Sequence, residues 1–243
     1  MGCRYIILPE THWKQILSTA TITENRTEDK MDYRELVRRE CPDMEPIVCE
    51  TAAETFFRME LLAKGPDPDR EYSIEDFRAL PEGLRAELVD GKLIYLESPT
   101  RLHQEIAGEM HLAVANHIKS KGGKCKVYIP PFDVYISGDN SRVLEPDLTV
   151  VCDRDKLNKR GCTGAPDWVV EVTSPSTRRR DLGKKLFLYR EAGVREYWII
   201  NPENRTVIVY AFEAEEDAAF YTFDDEIPCR IFPDLKIRLS DVV

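Results

Sequence analysis

Glu145-Pro146-Asp147-Leu148-Thr149-Val150-Val151-Cys152 is followed, after a short polar stretch, by Ala165-Pro166-Asp167-Trp168-Val169-Val170-Glu171-Val172-Thr173. Both segments open on Pro-Asp and run into Val, Trp and Thr, the composition of buried strands. Strands are predicted over 147–152 and 167–173. Each carries one carboxylate among apolar neighbours, Asp147 at the start of the first and Glu171 near the end of the second. A carboxylate inside a buried strand is costly unless it is paired or bound to metal. Two of them on neighbouring strands repel. A divalent cation resolves this, and oxygen donors suit magnesium. Each carboxylate could equally cap a neighbouring loop or pair with an arginine.

Downstream, a helix is predicted over 177–192, stopped by Gly193, where a helix C-terminus wants positive φ. Asp181, Lys185 and Tyr189 are spaced by four and share one face. Lys185 then either makes an ordinary surface ion pair with Asp181 or brings its ammonium to the metal. There it would orient the attacking water and offset charge on a phosphate. Tyr197–Ile200 and Thr206–Phe212 read as further strands. Short strands are expected near Arg230–Phe232 and Lys236–Leu239.

Upstream, Ser73 can cap a short helix, Ile74–Leu80, and Ala86–Leu96 reads as a hairpin turning at Asp90-Gly91. A helix is expected from Ser98-Pro99 to about Ser120, because Leu102, Ile106, Met110, Val114 and Ile118 recur near the helical period. Cys125–Ile129 and Phe132–Ile136 read as one strand broken by Pro130-Pro131. The order from Pro99 to Ile200 is therefore αβββαβ, which makes an α/β fold with a mixed sheet flanked by helices.

Residues 1–70 read differently. Helices are conceivable at Asp32–Glu40 and Glu50–Lys64, apolar positions are sparse, and Gly65-Pro-Asp-Pro-Asp-Arg70 is a breaker and boundary. Hydrophobic residues make up 42% of the 243-residue chain, enough for one core. No run of eighteen apolar residues exists, so no membrane-spanning helix is expected, and neither is a secretory leader. The expected location is cytoplasmic. The seven cysteines lack CxxC spacing and read as scattered reduced thiols, not as a disulfide framework or a zinc site.

A net charge of −10 is unfavourable for a nucleic-acid binder. Between Glu171 and Arg190, however, six basic residues face two acids, and Lys119, Lys121, Lys124 and Lys126 form a second cluster. Either cluster suits a phosphate backbone or a plain solvated surface.

The motifs in order carry a resemblance. Glu145-Pro-Asp147, Asp167-Trp-Val-Val-Glu171-Val-Thr-Ser-Pro175, Asp181, Lys185, Tyr189 and Gly193-Val-Arg-Glu-Tyr-Trp198 resemble the Uma-two family of endonucleases, in the PD-(D/E)XK superfamily. Glu87-Leu-Val-Asp-Gly91 and Ser98-Pro-Thr-Arg-Leu-His103 match too. The resemblance runs from about Tyr72 to the C-terminus. It implies a restriction-endonuclease-like mixed sheet with an αβββαβ core over 71–243; it does not cover 1–70, which the composition reads as a partly helical or weakly structured N-terminal extension. It also implies Asp147 and Glu171 as ligands of Mg²⁺, with Mn²⁺ as substitute. Orthodox members place a lysine two residues after the second acid, where this chain has Thr173; the resemblance implies that Lys185 took over that role. Glu87 would hold a water or a second ion, or simply be structural. His103 would contact phosphate or satisfy a buried backbone group. The implied activity is phosphodiester hydrolysis, with DNA the first choice of partner, and a homodimer is the usual assembly of enzymes that cut both strands. The alternative is a catalytically silent nuclease fold that binds nucleic acid or a protein.

Overall fold

The expected hairpin is present in the computed structural model, which describes residues 39, 64–138, 141–175, 177–214 and 218–241. Strands β1 (Ala86–Val89) and β2 (Lys92–Tyr95) pair antiparallel around Asp90 and Gly91, whose φ values of 49° and 73° suit a two-residue hairpin turn. Ahead of it, α1 (Ile74–Arg78) is capped by Ser73, which accepts the Asp76 amide while the Asp76 carboxylate accepts the Ser73 amide. Pro68–Ala79 and Arg85–Val243 make up one compact unit, which contains this helix and hairpin together with the strands and helices described below. The helices expected at Asp32–Glu40 and Glu50–Lys64 lie outside the described residues, apart from Arg39 and Lys64.

Helix α2 (Arg101–Ser120) starts later than expected. The Thr100 hydroxyl accepts the His103 amide at 3.3 Å, so Thr100 is the cap and Pro99 stays outside the first turn. Ile106, Met110, Val114 and Ile118 form its buried stripe. The broken strand is corrected. Its halves, β3 (Lys126–Tyr128) and β4 (Asp133–Tyr135), belong to different sheets, because the chain turns away at Pro130-Pro131 and does not resume its line.

The remaining strands are β5 (Val143–Leu144), β6 (Leu148–Val151), β7 (Leu157–Asn158), β8 (Gly161–Thr163), β9 (Trp168–Val172), β10 (Glu196–Asn201), β11 (Thr206–Ala211), β12 (Ala218–Thr222), β13 (Ile227–Pro228) and β14 (Lys236–Ile237). The main sheet has the order β12-β11-β10-β9-β6-β3, the second sheet β2-β1-β5-β4-β8-β7, and β13 pairs with β14. The strand expected at Arg230–Phe232 is absent, and the ladder there uses Ile227–Pro228 instead.

Strands β9 and β10 are parallel, and the chain between them forms α3. Helix α3 covers 178–192 in three continuous stretches: Arg178–Arg180, a π-helical turn Asp181–Lys185, and Leu186–Ala192. Gly193, at φ 91°, closes it. Counted in the main sheet, α2-β3-β6-β9-α3-β10 is the αβββαβ order. Both faces of this sheet are covered, which is why β6, β9 and β10 read as nearly unbroken apolar runs. On one face, α2 packs on Leu148, Val150, Trp168, Val170 and Trp198. On the other, Leu188 and Tyr189 of α3 share a core with Val169, Tyr197, Ile199 and with Val134 and Leu144 of the second sheet.

The cysteine expectation is corrected for one pair. Cys125 and Cys152 form a disulfide, with Cα atoms 3.9 Å apart. The β3–β6 register, Lys126 opposite Val151, brings these flanking residues face to face. Cys162 and Cys229 are free and buried.

Candidate active site

Asp147 immediately precedes β6. The β6–β9 register sets Leu148 opposite Val170, and one step further sets Asp147 opposite Glu171. Here the Asp147 carboxylate replaces a strand carbonyl, its Oδ2 accepting the Val172 amide at 2.8 Å. Oδ1 lies 2.9 Å from His103 Nε2. His103 reaches it from the first turn of α2, and both side chains keep 15% of their surface exposed. They form the rim.

The rest of the constellation lies deeper. Along β9, Trp168, Val170 and Val172 face the α2 core, so alternation turns Glu171 towards α3. Glu171 is 4% exposed, Lys185 3%, Asp181 1% and Glu87 0%. Lys185 Nζ lies 2.7 Å from Glu171 Oε1, 2.8 Å from Glu87 Oε1 and 3.7 Å from Asp181 Oδ1. The Tyr189 hydroxyl donates to Glu171 Oε1 at 2.8 Å. Arg180 approaches Glu87 Oε2 at 3.4 Å. Asp181 and Lys185 are therefore no surface pair; the π-turn that bears them sits against the sheet, in keeping with the concentration of such turns at functional sites.

The electrostatics follow from burial. Glu171 is pushed well above the usual carboxylate range by burial, against the pull of Lys185 and with Asp181, Asp147 and Glu87 adding to the rise. Asp181 is raised by burial in the same way. Burial alone would lower Lys185, but Glu171, Glu87 and Asp181 more than reverse it and hold the ammonium charged. Glu87 Oε2, Asp181 Oδ1 and Arg180 Nε are buried without a hydrogen-bond partner, three of five such side-chain atoms among the described residues. Unsatisfied polar groups gathered in one place mark a site rather than a core.

Asp147, Glu171, Lys185, Glu87 and His103, the five residues singled out in the sequence, thus come together from α2, β1, β6, β9 and α3. Tyr189, Asp181 and Arg180 belong with them. The four-residue spacing pointed to the first two; nothing in Arg178-Arg179-Arg180 distinguishes Arg180. The lysine cluster from Lys119 to Lys126 does not join the site. Lys121 pairs with Asp234 at 2.8 Å, at the far end of α2, about 27 Å along the helix from His103. Glu196 is a buried carboxylate of another kind. It accepts the amides of Arg230 and Ile231 and the Trp198 indole N–H, and so fastens the C-terminal loop to β10.

A hard divalent cation fits the donor set in part by number and fully by chemistry. Among the described residues no three His, Cys, Asp or Glu side chains form a ready cage. Asp147 and Glu171 supply two carboxylates, and magnesium characteristically takes one or two, filling its shell with water and substrate phosphate. Three carboxylates, Glu171, Glu87 and Asp181, lie around Lys185, and Asp147 adds to the repulsion on Glu171, a repulsion that a cation would relieve.

The model of the Uma2 family, described as "Putative restriction endonuclease", matches residues 74–240. The chain belongs to the Uma2 family. An uncharacterized protein of Synechocystis sp. is 27% identical over 155 residues, covering 62% of this chain and 80% of that one. A crystal structure titled as "a putative nuclease belonging to DUF820" from Anabaena variabilis superposes with a TM-score of 0.59 at 23% identity, over 70% of this chain and 97% of that one. At that identity the likeness establishes the restriction-endonuclease-like fold alone. Membership of Uma2 adds support for nuclease function. No helix among the described residues is long and apolar enough to cross a membrane.

Proposed function

We propose that this Uma2 protein is a metal-dependent endonuclease that hydrolyses phosphodiester bonds of DNA. The observation that carries the reading is Asp147 set opposite Glu171 across adjacent strands, one at the rim and one buried against Lys185. Asp147 and Glu171 would hold magnesium, or manganese in its place. When bound, the ion supplies Lewis acidity for the attacking water and the phosphate. His103 and the Val172 amide orient Asp147. Lys185 opposes the burial that raises Glu171 and offsets charge growing on the phosphoryl oxygens. Glu87, behind Lys185, holds the ammonium in place. His103, at the rim, meets an entering phosphate. The chemistry is assigned to residues 71–243, with 1–70 an appended extension, and a homodimer would give two sites for two strands.

The test is cleavage of supercoiled plasmid, single-stranded DNA and RNA with Mg²⁺ or Mn²⁺. Wild type is run beside Asp147→Ala, Glu171→Ala and Lys185→Ala. Metal-dependent cutting of DNA that disappears in all three variants supports the reading. Cutting that survives in them overturns it.

One observation favours a silent, binding-only domain. Thr173, where orthodox members carry lysine, is 5% exposed and its amide is bonded to the Ile200 carbonyl at 2.8 Å, so β9 supplies no amine. A melting-temperature rise with Mn²⁺ that is absent in Glu171→Ala would oppose that reading, because a ligand of the folded state alone stabilises it.

A further inference from the structure

Tyr189 is a buried polar group in the site that the proposed chemistry leaves without a task. It is 0% exposed, and its ring lies 4.9 Å from that of Tyr197, tilted by 56°. Its hydroxyl donates to Glu171 Oε1 at 2.8 Å, the same oxygen that Lys185 Nζ reaches at 2.7 Å. Glu171 Oε2 takes part in neither of these bonds, and the Glu171 side chain as a whole keeps 5% of its surface exposed.

The terminal torsion of a glutamate is broad and nearly two-fold. A single ammonium donor would leave the carboxylate free to turn and offer either oxygen, or both, to Lys185. A second donor on the same oxygen, arriving one helical turn further along α3, removes that freedom.

We infer that Tyr189 is a positioning residue: by fixing Glu171 Oε1 jointly with Lys185, it presents Oε2 to the divalent cation. The inference rests on the metal-site reading above. Groups that hydrogen-bond a ligating carboxylate tune metal affinity by about 10–100-fold when removed.

The experiment is calorimetric titration of the full chain with Mn²⁺, without nucleic acid, well below the melting temperature. Wild type is compared with Tyr189→Phe, Tyr197→Phe and Glu171→Gln. Tyr197 is an equally buried phenol whose hydroxyl donates to the Asp181 backbone carbonyl at 3.2 Å, so its variant controls for stability lost with a buried hydroxyl. The expected result is that Glu171→Gln loses binding, Tyr189→Phe weakens it at least about tenfold, and Tyr197→Phe stays within about twofold of wild type. Tyr189→Phe binding like wild type while Glu171→Gln fails overturns the positioning role and leaves the metal site standing. Equal weakening in both tyrosine variants overturns it too, as general loosening. A wild type that takes up no Mn²⁺ overturns the metal site and the inference with it.

Discussion

Glu87 Oε1 lies 2.8 Å from Lys185 Nζ, with both side chains shut away from solvent. The pair ties β1 of the second sheet to the helix that crosses the main sheet. Removing one member of a buried ion pair strands the other, at a cost of about 3–5 kcal/mol, whereas neutralising both is far cheaper. Lys185→Met should therefore destabilise the fold by about that amount in urea unfolding. Adding Glu87→Gln should recover part of the loss rather than deepen it. Additive losses in this double-mutant cycle would mean that the two groups do not act as a pair.

His103 and Asp147 are coupled differently, because both reach the surface. Substitution of His103 leaves the Asp147 carboxylate its bond from the Val172 amide and some contact with water, so stability should fall by only about 1 kcal/mol. Its effect should fall on function. On the proposed reading, in which Asp147 would hold the metal, His103→Ala should reduce the cleavage rate about 10–100-fold, the usual cost of losing a group that orients a ligating carboxylate. A rate within twofold of wild type, at unchanged melting temperature, would reduce His103 to a helix-start residue.

Glu196 offers the opposite case, a buried carboxylate that belongs to structure. It accepts the Ile231 amide at 2.8 Å, the Arg230 amide at 2.9 Å and the Trp198 indole at 2.7 Å. Charge-assisted bonds of this type contribute about 1.5–3 kcal/mol each, and stranding the donors adds to the loss. Glu196→Ala should lose at least about 3 kcal/mol in denaturant unfolding and yet cleave normally well below its melting temperature. Lost cleavage in a protein that is still folded would show that the C-terminal loop reaches the active site.

These two buried acids show what the sequence could reveal. Glu171 lies within an apolar strand and Glu196 opens one, and periodicity cannot tell their roles apart. The difference lies in their partners: Glu196 meets backbone amides about 34 residues on, and Glu171 meets Lys185 and Tyr189 on the next helix. The first contact leaves no spacing signal, whereas the second does, as the i, i+4 series Asp181, Lys185, Tyr189. The strands with strong apolar runs, β6, β9 and β10, were legible for the same reason that they are central. Strands β5, β7 and β8 are two or three residues long and are fixed by pairing with distant segments, so no local pattern announces them. The halves around Pro130-Pro131 share one composition, and only tertiary pairing assigns them to two sheets.

The Cys125–Cys152 bridge is hidden for a related reason, since sheet register and not local spacing brings the two sulfurs together. It closes a loop with a sequence separation of 27. Loop-closure entropy puts the stabilisation at about 3–4 kcal/mol. Dithiothreitol, or Cys125→Ala with Cys152→Ala, should lower the unfolding midpoint accordingly. A midpoint indifferent to both would show the thiols to be unbonded in solution.

The buried tyrosines and Lys185 set the alkaline limit of the fold. Burial raises Tyr189 and Tyr197 well above the ordinary value of 10.0. Lys185, lowered by burial but raised further by its carboxylates, ends above its ordinary 10.5. Each group keeps its proton in the folded protein at a pH where the unfolded chain has released it. The unfolded state then binds fewer protons, so stability falls as pH rises. The contribution is fully present below about pH 10 and is lost above it. With all three groups engaged, the slope approaches about 4 kcal/mol per pH unit. Urea midpoints measured between pH 9 and pH 12 should be flat at first and then drop steeply, with tyrosinate absorbance from the two buried rings appearing only as the protein unfolds. Tyrosinate signal from these rings in a still-folded protein, or a midpoint that stays level through the range, would mean that Tyr189 and Lys185 are more open to water than the geometry of Glu171 requires.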